Sequence, residues 1–330
     1  MSTNNTKNGK GFEFACLSTF RDFLRKEGRQ ASVLEDAPYE TARKCYESVG
    51  EEAGARFSKA AGAAVAIIAP LEPRLMYGKG SLVLSINPDS AAIGPDGDVR
   101  DVMCVRSTAS GGEEWKIGFS CKHNHEALRH PRITEAKDFG KAWLGYPSGE
   151  AFISRMDSIM EDLREKEQGK ALWEEIHDKT ERYYAPILDA FSEETWRLCR
   201  EHKDAPARFL GYFFGSDDFY KIIARESSRT TTVEGFNING TLNRSAPEGH
   251  HPAATVKRLS LPSRLLDISP KTKCTGEKSK TTLVLTFDEG WAVGLRIHNK
   301  DKRVKLTGLA FDVELVGLAT GMFSSSRTWE

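Results

Sequence analysis

Residues Trp115–Arg132 read WKIGFSCKHNHEALRHPR. Trp115, Ile117 and Phe119 alternate, which is the period of a strand with one face in a core. The stretch then runs into Lys122, His123, Asn124 and His125 and closes with His130 and Arg132. A core strand that ends in cationic and titratable groups is either a solvated edge or a site. Its neighbours bear on the choice. VRDVMCVRS (99–107) is a second short apolar strand, TASGGE (108–113) is a turn, and SLVLSIN (81–87) is an earlier strand. The three predict a meander.

A hairpin centred between Ser110 and Gly111 pairs residues whose numbers sum to 221. Asp101 then lies opposite Ser120, and Asp98 opposite His123. Lys122, two residues from Ser120, points to the same face as Ser120. A carboxylate, a hydroxyl and an amine converge at one end of the hairpin, with Asp96 and Asp98 just upstream in GPDGDVRD. Metal-dependent phosphodiester cleavage uses groups of this kind. An acid holds Mg²⁺, a hard ion that prefers oxygen ligands. A nearby lysine orients water and stabilises the charge developing on the phosphate. That chemistry wants an Asp, a turn, then acid-x-Lys; the second element here is Ser120-Cys121-Lys122.

The rest of the chain sets bounds. At 330 residues it can bury a large core, and 47 Lys+Arg balance 47 Asp+Glu, so total charge points to no polyanionic partner. No stretch approaches the length of an apolar membrane span, and MSTNNTKNGK reads as a frayed terminus without a signal core. Six scattered cysteines form no C-x-x-C pair, which argues against structural zinc and for a reduced, cytoplasmic protein. Residues 12–68 read as helical, with Phe12, Cys16, Phe20 and Phe23 near helical spacing and Pro70 and Pro73 as breakers. Residues 124–225 read as helical again, with a start signal at Pro147 or Ser148 and FYKIIAR inside the last helix. Residues 226–330 read as strands, and Lys and Arg outnumber Asp and Glu over 251–330. The expected units are therefore a disordered tail over 1–10, a helical and catalytic region over 11–225, and a basic β-rich region over 226–330 that grips a polyanion.

GDVRDV (97–102), WKIGFSCKHNHEALRHPR and DFGKAWL (138–144) resemble the PD-(D/E)xK restriction endonucleases, specifically the HaeIII family. FLGYFFGSDDFYK (209–221), LPSRLLDI (261–268) and GWAVGLRIHNKDKRVKLTGLAFDVELVG (290–317) add to the likeness, which runs from about Leu82 to Gly317. The resemblance implies an α/β fold: a nuclease core with a mixed central sheet flanked by helices, helical insertions and a β-rich C-terminal part. It implies a type II enzyme that cuts double-stranded DNA at GGCC, between G and C, with Mg²⁺ and blunt ends. By match to the motif, Asp101 is the metal-binding aspartate, with Asp98 the competing choice; Lys122 is the catalytic lysine; and the backbone carbonyl of Cys121 is a second metal ligand. Ser120 departs from the pattern, standing where the motif has Asp or Glu. Glu126, Glu135 and Glu52 are the candidates for the displaced carboxylate. His123, Asn124, His125 and Arg132 are expected to meet the DNA backbone. Arg244, Arg264 and Arg296 are expected to read guanine, the commonest specific arginine contact in the major groove. A palindromic site suggests a homodimer, and a host-protecting methyltransferase is the implied functional partner in a bacterium. Two other readings compete. One is a DNA-binding protein whose nuclease core is dead at Ser120. The other is a repair-type nuclease on the same core.

Overall fold

A computed structural model describes residues 2–88, 98–107, 115–127, 129–133 and 138–330. Seven strands form one sheet: β1 (Ala31–Val33), β2 (Ser81–Ile86), β3 (Val102–Ser107), β4 (Trp115–His123), β5 (Phe219–Arg225), β6 (Thr230–Phe236) and β11 (Phe323–Thr328), in the order β1-β2-β3-β4-β5-β6-β11. β7 (Leu265–Thr272), β8 (Lys278–Phe287), β9 (Ala292–Asn299) and β10 (Leu309–Leu315) form a second, antiparallel sheet in the order β10-β9-β8-β7. The hairpin register is the expected one: Val102 faces Phe119 and Cys104 faces Ile117. β2, β3 and β4 form the predicted meander. β1 runs parallel to β2, and β5 runs parallel to β4, so the central sheet is mixed.

Helices α1 (Ser2–Lys26), α2 (Ala37–Ser48) and α3 (Glu51–Ile68) cover one face of the central sheet, and a single turn, α4 (Pro73–Met76), leads into β2. Phe12, Cys16 and Phe20 of α1 bury against Ile117, Phe119 and Cys121, the odd-numbered residues of β4. Phe20 stacks on Phe119 with ring centroids 4.4 Å apart. The even residues of β4 are left for the opposite face, and this alternation places Ser120 and Lys122 away from the helical core. A second core joins α5 (Glu150–Gln168), α6 (Ala185–Glu201) and α7 (Ala205–Phe214) to the inner face of the second sheet, through Leu285, Val293, Leu295, Phe311 and Val313.

Several expectations are corrected. Residues 2–10, read as a frayed tail, belong to α1. The 12–68 helical stretch is broken by β1, which borrows the edge of β2. FYKIIAR is not helix but β5, with Phe219 to Ala224 all buried. A strand covered on both faces loses its alternation and cannot be told from a buried helix by period. α5 starts at Glu150 with Gly149 as its cap; the Ser148 hydroxyl instead accepts the Gly140 N–H at 3.1 Å. A boundary after residue 225 would cut the β5–β6 hairpin, and β6 and β11 belong to the central sheet. Only β7 to β10 of the β-rich region stand apart.

Candidate active site

Asp101 sits one residue before β3. Its N–H donates to the Phe119 carbonyl at 2.8 Å, which carries the ladder one step beyond the strand and fixes the backbone opposite Ser120. The carboxylate turns across the strand end. Oδ2 accepts the Cys121 N–H at 2.7 Å, and lies 3.3 Å from Lys122 Nζ and 3.4 Å from Ser120 Oγ. Asp101 is 6% exposed, so these donors replace water that the charge would otherwise require. On β4, residues 119 and 121 direct their backbone polar groups to the same edge. The β3 ladder ends at Asp101, so the Cys121 carbonyl is carried beyond it. The Cys121 thiol is buried in the helical core beside Cys16, and burial pushes it well above its ordinary value.

The segment leading into Asp101 is clamped. Arg100 is buried, and its guanidinium holds Asp98 through Nε and Nη2 and Asp217 through Nη2. Burial would raise the Asp98 carboxyl, but the Arg100 side chain and N–H outweigh it and hold it below the usual range. Asp98 is therefore committed to Arg100, outside the strand pairing that was to set it opposite His123. The stem of Arg100 lies over Gly118, where a Cβ would stand 2.1 Å from Cδ and 2.7 Å from Cγ. Gly118→Ala is expected to expel Arg100, destabilise the protein by roughly 1–3 kcal/mol and slow catalysis by releasing the Asp101 segment. Thermal melts and single-turnover rates check this, and a variant that melts and cuts like wild type would discount the clamp.

Asp101 opens onto a cleft of about 860 Å³. One wall carries Asp101 with Lys10 and Glu13 of α1; the other carries Lys271, Thr282, Arg296, Asp312 and Glu314 of the second sheet. His125, Glu126 and His130 lie between them. Glu13 is the residue that sequence reasoning missed. It is 6% exposed, and its Oε2 accepts from Lys10 Nζ at 2.8 Å. Burial first, and then the Asp101 charge, raise its carboxyl to about 7, against the pull of Lys10 and Lys122. Two carboxylates facing one pocket resist joint ionisation unless a cation joins them. A signal was present: Glu13 is the one charged residue in GFEFACL (11–17), beside the buried positions of α1.

The other candidates separate. Glu52 is 92% exposed in its side chain, paired with Arg56 and away from the cleft, so it is corrected out of the site. Glu126 lines the cleft and pairs with Arg225. Glu135, like Asp96, lies outside the described residues. His123 turns into the helical core against Phe12 and Phe57 and meets Glu226 at 3.2 Å, so it does not face the cleft. Asn124, at φ 57°, accepts the Glu226 N–H through Oδ1 and serves the turn. His125 lines the cleft, and burial together with Lys122 lowers it to about 4. Arg132 is half-buried and forms a backbone bridge with Ala310. Arg244 bonds the Gly240 carbonyl, and Arg264 holds Asp288; neither lines the cleft, whereas Arg296 does.

The model of the HaeIII restriction endonuclease family matches residues 9–319. The chain is 30% identical, over 331 aligned residues and all of both chains, to the type II restriction enzyme HaeIII of Haemophilus aegyptius. No solved structure matches. With Asp101 and Lys122 paired across one hairpin at the mouth of a cleft, and the match running nearly end to end, the chain belongs to the HaeIII restriction endonuclease family, type II enzymes that cut DNA at specific sites.

Proposed function

We propose that the enzyme cuts double-stranded DNA at GGCC, between G and C, leaving blunt ends with 5′-phosphate and 3′-hydroxyl, by Mg²⁺-dependent hydrolysis. The observation that carries the reading is the convergence of Asp101, Lys122 and the Cys121 backbone at the strand end, with Glu13 on the same cleft wall. GGCC and the product ends follow from the family likeness.

The donors fit a hard divalent ion. Two carboxylates and a backbone carbonyl are all oxygen donors, the kind a hard divalent ion prefers. A site with few protein ligands suits Mg²⁺, which keeps several waters and takes the rest of its shell from substrate phosphate. Asp101, Glu13 and the Cys121 carbonyl would hold it, Glu13 standing in for the acid absent at Ser120. A divalent ion bound there would polarise the phosphate and ease deprotonation of a water. The Lys122 ammonium, beside Asp101, orients that water and offsets the charge growing on the phosphate oxygens. The water oxygen bonds to phosphorus as the P–O3′ bond breaks. The departing O3′ takes a proton, and the proton lost by the water passes to solvent.

The enzyme is read as a homodimer, matching a two-fold site. It works in the bacterial cytoplasm beside a methyltransferase that shields host DNA. Digestion of unmethylated phage DNA by purified protein, with Mg²⁺ and with EDTA, tests the whole reading. Discrete Mg²⁺-dependent fragments whose ends read GG and CC are expected. Intact DNA under every condition, with a gel shift retained, would instead mark Ser120 as a lost ligand and the protein as a binder.

A further inference from the structure

The cleft wall opposite Asp101 carries Arg296. It is the outer face of the second sheet. Val293, Leu295 and Ile297 of β9 point into the core, so Arg296 points out. Register sets Thr282, Arg296 and Asp312 in one row across β8, β9 and β10, and all three line the cleft. Arg296 engages Asp312 side-on: Nε lies 3.1 Å from Oδ2, and Nη2 reaches the same oxygen. Oδ1 is held by His130 Nδ1 at 2.6 Å, and His298 Nδ1 lies 3.5 Å from Oδ2. Burial would raise the Asp312 carboxyl, but the bonds from His130 and Arg296 outweigh it and hold it ionised.

The side-on pairing has a geometric consequence. It uses Nε and one Nη2 proton and leaves the end of the fork, Nη1 and the other Nη2 proton, pointing away from the carboxylate. The Arg296 side chain is 62% exposed, and no further partner for it is found among the described residues. A fork held flat by a carboxylate and open at its tip matches the O6 and N7 acceptors of guanine. A phosphate contact needs no such buttress, since a free lysine or arginine reaches phosphate as well.

We infer that Arg296 reads a guanine of the recognition site through the tip of its guanidinium, with Asp312, itself fixed by His130, as the positioning residue that holds the fork in plane. The inference rests on the proposed cleavage of a G·C-only site. It puts base reading within the same cleft as the scissile phosphate, as a four-base-pair site cut at its centre requires.

The test measures binding and single-turnover cleavage on 20-base-pair duplexes carrying GGCC, the same duplexes with one G·C pair replaced, and duplexes with 7-deazaguanine, which lacks the N7 acceptor. Cutting of GGCC by wild type is the control; its absence sinks the parent reading and leaves nothing for Arg296 to read. Given that cutting, Arg296→Ala is expected to weaken binding to GGCC roughly 10–100-fold, to lose most of its discrimination against the altered pair, and to keep its salt dependence. At the guanine it reads, 7-deazaguanine should weaken wild type and leave Arg296→Ala unaffected, because the two changes remove one contact. Arg296→Lys should not rescue, having charge without the fork. Asp312→Asn should lower discrimination more than overall affinity. The inference is overturned if Arg296→Ala weakens all sequences alike with a salt slope smaller by about one, the mark of a phosphate contact. It is equally overturned if the 7-deazaguanine and Ala effects add.

Discussion

Lys122→Ala is expected to lower single-turnover DNA cleavage by at least 100- to 1,000-fold, the scale for losing one preorganised electrostatic group at a reacting centre, while leaving DNA binding within about twofold. The expectation follows from where the side chain sits. Lys122 is on the outward face of β4, 12% exposed in its side chain, with its ammonium 3.3 Å from Asp101 Oδ2. Its removal leaves the strongest anchor of Asp101, the Cys121 N–H at 2.7 Å, in place. The strand core of Ile117, Phe119 and Cys121 is untouched, because those residues face the helices. The loss should therefore fall on kcat and not on folding or affinity. Lys122→Met, which keeps the stem, should be as inactive as the alanine variant. Cleavage at the wild-type rate by either variant, measured beside a gel shift, would remove Lys122 from the reaction.

Glu13→Gln should show two effects of opposite kind. Cleavage should fall on the order of 100-fold or more if Glu13 and Asp101 hold the ion as proposed, because one of the two carboxylates becomes neutral. Stability without metal should rise. In the folded protein, burial and the Asp101 charge raise the Glu13 carboxyl from 4.5 to about 7. A group raised in this way favours folding in its protonated form. That contribution is whole below about 4.5 and is lost as pH climbs through 7. Glutamine, always neutral, has nothing to lose over that window, although it gives up the ion pair with Lys10. The gain of the variant over wild type should grow between pH 4.5 and 7 and level off above, at an order of 1–3 kcal/mol. Mg²⁺ should then raise the melting temperature of wild type more than that of the variant. A flat difference across pH, or equal Mg²⁺ shifts in both proteins, would show that Glu13 does not share the pocket with Asp101.

The sequence was most legible where side chains alternate in two strands close together in the chain. The β3–β4 register follows from TASGGE and two apolar runs, and with it the meeting of Asp101, Ser120 and Lys122. FYKIIAR was illegible for the opposite reason, since β5 is covered on both faces and shows no alternation. Glu13 was hidden by distance along the chain: nothing local in α1 tells a buried carboxylate which strand it will meet. His123 looked like a surface cation because its neighbours are polar, yet strand parity sends it inward with Phe119 and Cys121, against Phe57. Asp98 and Asp101 both precede β3, and the clamp of Arg100 over Gly118 separates their roles. That packing can be seen only in three dimensions.

The two edges of β4 differ in a way that bears on how the enzyme is made. On one edge β3, close by in the chain, pairs with it. On the other, Ser120 is matched with Lys221, and α5, α6 and α7 lie between them in the chain. The first contact closes a short loop and is expected to form before the second, which spans a long loop holding three helices. On this expectation the strand bearing Lys122 is assembled from its local side first, and the candidate site is completed late in folding. Substitutions in the β3–β4 hairpin should mainly slow refolding, whereas those between β4 and β5 should mainly hasten unfolding.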